Sequence, residues 1–133
     1  MNPHYPAVAQ RAAHRCEYCH APEVIFNFPF EVEHIIPTSR QGADDEFNMA
    51  LSCRSCNLRK SDCRTGLDEI TGEEARLFHP RQDDWDEHFH IDPETGVITG
   101  RTSVGRATVA RLQMNAAVQL EAREQWMKLG LFP

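Results

Sequence analysis

The chain has 133 residues, of which 41% are hydrophobic and 26% are charged, and its formal net charge is −6. This size and balance fit one compact domain over residues 1–133 and argue against a disordered chain. The sequence has no apolar run near the ~18 residues that a membrane helix needs, and its N-terminus lacks the apolar core of a signal peptide. We therefore expect a cytoplasmic protein with no membrane partner.

The charge is distributed unevenly along the chain. Residues 68–94 contain ten acids and two arginines, a local charge of −8, so the remainder of the chain carries +2. Residues 53–64 carry +3, because only Asp62 opposes four cations, which are Arg54, Arg59, Lys60 and Arg64. A local basic patch of this kind can bind phosphates even on an acidic protein. Four cations alone are, however, more often a solvated helix face.

The first half of the chain predicts a helix, two strands and a second helix. Residues 7–15 are rich in helix formers and lead to Cys16. Apolar and polar residues then alternate, which predicts an extended strand that ends at Pro37; its apolar positions are Phe26, Phe28, Phe30 and Val32. A polar loop over residues 38–48 precedes the short apolar run 49–52, so a hairpin is expected. A helix is predicted from about Ser55.

The second half of the chain predicts helices around one further hairpin. Residues 71–78 are interpreted as a short helix that Pro80 ends. The turn sequence of residues 92–96 lies between two runs that favour strands, which indicates a hairpin. Residues 107–129 have apolar positions at helical spacing, with Asn115 as a candidate N-cap between two helices and Gly130 as a C-terminal cap. The predicted fold class is α+β.

Four of the five cysteines form two CxxC pairs, and 33 residues separate the pairs. The four are Cys16, Cys19, Cys53 and Cys56. Four thiolates are the tetrahedral ligand set that Zn²⁺ prefers in structural sites. Unrelated buried thiols or a redox pair are the alternative, and the double spacing favours zinc. Cys63 lies outside both pairs and is expected to be a free thiol.

A second kind of chemistry is suggested by the pair Glu33-His34 together with Asn57. Glu33 and Asn57 offer oxygen ligands for a hard cation, and an imidazole with a pKa near neutrality can accept a proton from water. Such a cation would polarise a phosphate and neutralise charge on the leaving oxygen. An isolated Glu-His pair is weak evidence, because most such pairs are a surface acid and an unengaged histidine.

The combined spacing is more specific than any of its parts. The run EHIIP is followed by Asn48, which lies fourteen residues after His34, and then by Asn57 directly behind the second CxxC pair, with Lys60 three residues later. This pattern over residues 16–60 resembles the HNH endonuclease family in its zinc-supported subclass. The resemblance implies a ββα-metal (His-Me finger) core over residues 16–64. The N-terminal helix would flank this core, and residues 65–133 would add the second hairpin and the C-terminal helices.

The resemblance also implies roles for individual residues. His34 would be the general base, and Asn48 would hold the loop that orients it. Glu33 and Asn57 would bind a catalytic Mg²⁺ or Mn²⁺, and the four paired cysteines would bind a structural Zn²⁺. The substrate would be DNA, expected to be duplex, with the four cations of residues 53–64 as candidate contacts. The alternative is a catalytically inactive, zinc-stapled module that binds nucleic acid or protein.

Overall fold

A computed structural model describes residues 2–133 and shows the predicted strand, strand and helix in the first half of the chain. Helix α1 (Tyr5–Arg11) is followed by β1 (Glu31–His34), β2 (Met49–Ser52) and α2 (Arg54–Lys60). The strands β1 and β2 pair antiparallel, with Glu33 opposite Ala50 and His34 opposite Met49. The predicted hairpin and helix are therefore confirmed.

The strand predicted from Phe26 is shorter than expected and begins only at Glu31. Residues Glu23–Ile25 form a 3₁₀ turn instead. Pro29 has no N–H to donate to a sheet, which prevents regular pairing just before β1. Phe28 is 47% exposed, whereas Phe30 is buried.

The helix predicted over residues 71–78 is wrong. Strand β3 (Thr65–Asp68) pairs antiparallel with β4 (Glu73–Arg76), so these residues form a hairpin. Gly72 adopts φ +75°, and its N–H donates to the carbonyl of Asp68 at 2.8 Å. A glycine takes this left-handed conformation without strain and so permits the reversal. Pairing with β3 outweighs the helix propensity of the Glu-Glu-Ala-Arg run.

The next segment contains the other predicted hairpin. A short helix, α3 (Trp85–His88), leads into β5 (Phe89–Ile91), which pairs antiparallel with β6 (Ile98–Gly100). This hairpin is confirmed. His88 closes α3 and does not belong to the strand, and its ring packs edge-on against Phe78.

Two helices complete the chain, as predicted: α4 (Ser103–Leu112) and α5 (Ala117–Lys128). Asn115 separates them without capping α5, because its side chain bonds the backbone N–H and carbonyl of Ile98 at 2.9 and 2.7 Å. Gly130 caps α5 at φ +71°, with its N–H donating to the carbonyl of Met127. The N–H of Leu131 donates to the carbonyl of Trp126, which completes a Schellman motif.

One hydrophobic core packs α1 and the β1–β2 hairpin against the C-terminal half of the chain. Fully buried side chains come from α1, β2 and the C-terminal half, among them Val8, Met49, Leu51 and Leu112. Helix α4 packs against β3, β6 and α2, so it supports the back of the ββα unit. The architecture is α+β, as predicted. In the part of the chain that the structure describes, no helix has the length and apolar character needed to span a membrane.

Candidate functional site

The four paired cysteines converge on one point. Cys16 and Cys19 lie in the turn after α1, while Cys53 caps the N-terminus of α2 and Cys56 lies in its first turn. All four are buried, and their sulfur atoms lie within 4.8 Å of one another. Tetrahedral zinc with bonds of about 2.3 Å places its sulfur ligands ~3.8 Å apart.

The distance between the sulfur atoms of Cys19 and Cys53 is 3.7 Å, close to that spacing. The donor type and the geometry both fit, so the cluster can hold a zinc ion. Cys63 lies outside it, half-buried and with a free thiol.

His34 ends β1 and is oriented by a carboxylate from the following loop. Its Nε2 lies 2.8 Å from Oδ1 of Asp44, and the His34 side chain is 28% exposed. An ionised carboxylate only accepts hydrogen bonds, so Nε2 must carry the proton. Nδ1 is then the proton-accepting nitrogen of the neutral ring, as a general base requires.

Asn48 closes the loop that carries Asp44. Its Nδ2 donates to the carbonyls of Ile36 and Ala43 at 2.9 and 2.8 Å, and its Oδ1 accepts from the N–H of Ile36 at 2.8 Å. The loop is tight as well: a Cβ on Gly42 would lie 1.8 Å from the carbonyl oxygen of Ile36. The loop between β1 and β2 is thereby fixed relative to the end of β1.

Glu33 points into the protein, opposite to its neighbour His34. The Tyr18 hydroxyl donates to Oε1 of Glu33, and Lys60 Nζ donates to Oε2 at 3.1 Å. Lys60 also donates to the carbonyls of Ile35 and His34 at 2.8 and 3.4 Å, so it ties α2 to β1. Burial raises the pKa of Glu33 in spite of the opposing effect of Lys60. Burial and the charge of Glu33 likewise raise the pKa of Tyr18.

Asn57 lies half-buried on α2, directly after Cys56 and one turn before Lys60. Within residues 2–133 its side-chain amide forms no hydrogen bond, so its oxygen is available to a ligand. In the same residues, the cysteine cluster is the only convergent group of three or more His, Cys, Asp or Glu ligands. Among the described residues, the structure thus shows no preassembled acidic cluster beside His34.

The four cations of residues 53–64 have different surroundings. Arg54 and Arg64 are exposed, whereas Lys60 is only 2% exposed and engaged as described. The Arg59 guanidinium donates to the carbonyls of Leu112 and Gln113 at 3.4 and 3.0 Å, at the C-terminus of α4. Arg59 and Lys60 therefore hold the fold together, and the other two present their charge to solvent.

Two site residues were not identified from the sequence. Asp44 lies in a polar loop with other acids, and Tyr18 lies inside the first CxxC pair. No local sequence pattern marks either residue as part of the site. Asp44 contacts His34 from ten residues away in the chain, and Tyr18 contacts Glu33 from fifteen residues away. These contacts form only when the cysteine turn and the loop between β1 and β2 fold against β1.

The antiparallel hairpin, the helix behind it and the thiol cluster together define a ββα-metal motif. The comparison with protein families agrees, since the model of the HNH endonuclease family matches residues 16–62. Residues 16–62 are therefore similar to the HNH endonuclease family, whose members are in general nucleases. Searches of the curated proteins and of the solved structures found no match.

Proposed function

We propose that this protein is a metal-dependent DNA endonuclease of the cytoplasm that hydrolyses phosphodiester bonds in duplex DNA. The observation that supports this most directly is the hydrogen bond between His34 Nε2 and Asp44 within the HNH segment. It holds the imidazole in the tautomer that a general base needs.

In the proposed reaction, His34 accepts a proton from the attacking water at Nδ1. Asp44 then faces a positively charged imidazolium at hydrogen-bond distance, which stabilises that form. Asn48 keeps Asp44 in place by fixing the loop at Ile36 and Ala43. The base is thus oriented through two layers of contacts.

Asn57 and Glu33 would hold the catalytic Mg²⁺ or Mn²⁺. Oxygen donors suit hard cations, and no side chain or backbone group of residues 2–133 forms a hydrogen bond with the Asn57 side-chain amide. Tyr18 donates one hydrogen bond to Oε1 of Glu33 and Lys60 donates one to Oε2, which leaves free about half of the ~4 acceptor positions of a carboxylate. When bound, the ion would polarise the phosphate and neutralise charge on the leaving oxygen.

The four cysteines would hold a structural Zn²⁺. Cys53 and Cys56 begin α2, so the ion would fix the start of the helix that carries Asn57 and Lys60. The exposed Arg54 and Arg64 are the proposed contacts to DNA phosphates, and their contribution would weaken as salt rises.

Nicking of a supercoiled plasmid tests this proposal. Wild-type protein is expected to cut only with added Mg²⁺ or Mn²⁺, and His34→Ala is expected to lower the rate by about 10²–10⁴-fold, the usual contribution of a general base. Asp44→Asn should lower kcat by a smaller factor and leave DNA affinity unchanged. His90→Ala is the matched control, because His90 is an exposed histidine outside the HNH segment. Equal activity of wild type and His34→Ala would remove His34 from the mechanism.

A second candidate function has its own support in the engagement of Glu33 by Tyr18 and Lys60. A buried carboxylate whose two oxygens already accept hydrogen bonds from the protein fits a structural role. It suits a zinc-stabilised module that binds nucleic acid or protein without cutting. This alternative predicts salt-dependent DNA binding and no cleavage with any divalent ion. Cleavage that depends on His34 excludes it.

A further inference from the structure

A cavity of about 350 Å³ adjoins the strand that ends in His34. Its apolar lining consists of Ile35 and Ile36, the two residues after His34, and of Leu77 and Phe78. Polar side chains complete the lining: Lys60, Cys63, Arg64, Arg76, His79 and Gln82. We call this space the β1 pocket. Its volume falls at the lower end of the ~300–1,000 Å³ that ligand clefts occupy.

The charged groups in this lining are all cationic, although the chain as a whole carries −6. Lys60 is paired with Glu33, and Arg76 is paired with Asp83 through two contacts of 2.7 and 3.0 Å. Arg64 is exposed, and its guanidinium forms no ion pair within residues 2–133. The pocket therefore offers one uncompensated positive charge at its rim, where an anionic group can bind.

Two neutral side chains add hydrogen-bonding groups beside this cation. His79 Nδ1 accepts from the N–H of Arg81 at 3.2 Å, so Nε2 carries the ring proton and can donate. Burial lowers the pKa of His79, which favours this neutral form. The side-chain amide of Gln82 is exposed and forms no hydrogen bond within the described residues. An apolar wall with donors and an acceptor at the rim suits a flat heteroaromatic ring.

We propose that the β1 pocket binds one unpaired nucleotide of the substrate strand, with its base against Ile35, Ile36 and Leu77 and its phosphate at Arg64. This inference rests on the proposed function and specifies which substrate it takes. The base must leave the helical stack to enter, and that costs least where it is already unpaired. The protein should therefore prefer DNA with an unpaired nucleotide over the same duplex fully paired.

Cys63 provides a direct test, because this residue lines the pocket and lies outside the cysteine cluster. The wild-type protein is incubated without added Mg²⁺ or Mn²⁺, so that the DNA stays intact, and alkylation of Cys63 by iodoacetamide is followed by mass spectrometry. The probes are a duplex with one unpaired adenine and the same duplex fully paired. With the first probe at about ten times its Kd, occupancy of the pocket should slow alkylation about tenfold. The paired duplex should leave the rate almost unchanged.

A second measurement replaces the unpaired adenine by 2-aminopurine, whose fluorescence changes when the base leaves the stack. Arg64→Ala should abolish both the protection and the fluorescence change. Cys63→Trp, which fills the pocket, should remove the preference for the unpaired base, while Cys63→Ser should retain it. Arg64 is exposed, so its variant tests the proposal even where Cys63→Trp does not fold.

Equal alkylation rates with the two duplexes and an unchanged 2-aminopurine signal would overturn the inference. A protein that cuts DNA but shows neither signal keeps its proposed function and loses the pocket. A protein that never cuts but shows both signals supports the pocket and rules out the nuclease. The two proposals can thus fail separately.

Discussion

Replacing Lys60 by methionine should destabilise the protein strongly, although the side chains have similar length. Lys60 and Glu33 form an ion pair of 3.1 Å with side-chain exposures of 2% and 5%. Removing one member of a buried pair leaves the other uncompensated, at a cost of about 3–5 kcal/mol. The carbonyls of His34 and Ile35 also lose their donor. This is a large part of the ~5–15 kcal/mol by which native proteins are stable.

Urea unfolding followed by the fluorescence of the two tryptophans measures the effect. With a slope of about 2 kcal/mol per M, a loss of about 4 kcal/mol lowers the midpoint by about 2 M. Lys128→Met is the matched control. Lys128 is exposed and, among residues 2–133, pairs only with Glu124 at 3.5 Å, so its removal should cost at most about 0.5 kcal/mol.

The double variant Glu33→Gln/Lys60→Met separates the ion pair from simple loss of packing. Glutamine still accepts from Tyr18 and leaves no buried charge, so most of the lost stability should return. If Glu33 binds the catalytic ion, this double variant should not cleave DNA even though it is stable. A single variant within about 1 kcal/mol of wild type, or a double variant no more stable than Lys60→Met, would refute the reasoning.

Three further predictions concern the loop between β1 and β2, stability at acidic pH and the cysteine cluster. Asn48→Ala removes three partly buried hydrogen bonds and should lower the free energy of unfolding by about 2–4 kcal/mol. Asp45→Ala, which removes one exposed hydrogen bond in the same loop, should lower it by about 1 kcal/mol or less. The hydrogen bonds from Arg106 lower the pKa of Asp68. At a pH above ~3.9, the ordinary pKa of Asp, they therefore stabilise the fold, and this stabilisation is lost as the pH falls from there through the lowered pKa. Arg106→Gln should therefore unfold at lower urea at neutral pH, with the gap to wild type closing below about pH 4; a gap independent of pH would contradict this. Elemental analysis should find one zinc per chain in wild type and in Cys63→Ser, and less in Cys16→Ser. A folded wild-type protein without zinc would exclude a structural zinc ion at the four cysteines.

The fold was predictable where short-range patterns and tertiary contacts agree. The strand over residues 49–52 and the helix after it were identified because local preference and tertiary contacts agree there. The apolar run pairs with β1, and the helix formers after it form α2. Residues 73–76 were not identified as a strand, since Glu, Glu, Ala and Arg favour a helix locally while the β3 edge and the Gly72 turn select a strand. Strand pairing depends on a partner that local propensity does not contain.

For the candidate site, the thiol set, His34 and the closing Asn57 were predicted from the amino-acid sequence, because residue type and spacing are properties of the chain itself. The tertiary structure alone decided which groups surround them. It placed Asp44 on His34, turned Glu33 inward to Tyr18 and Lys60, and engaged Arg59 at the end of α4. The direction of a side chain and the burial of a charge depend on elements far apart in the sequence. They are settled only when the hairpin, the helix and the cysteine turn pack together.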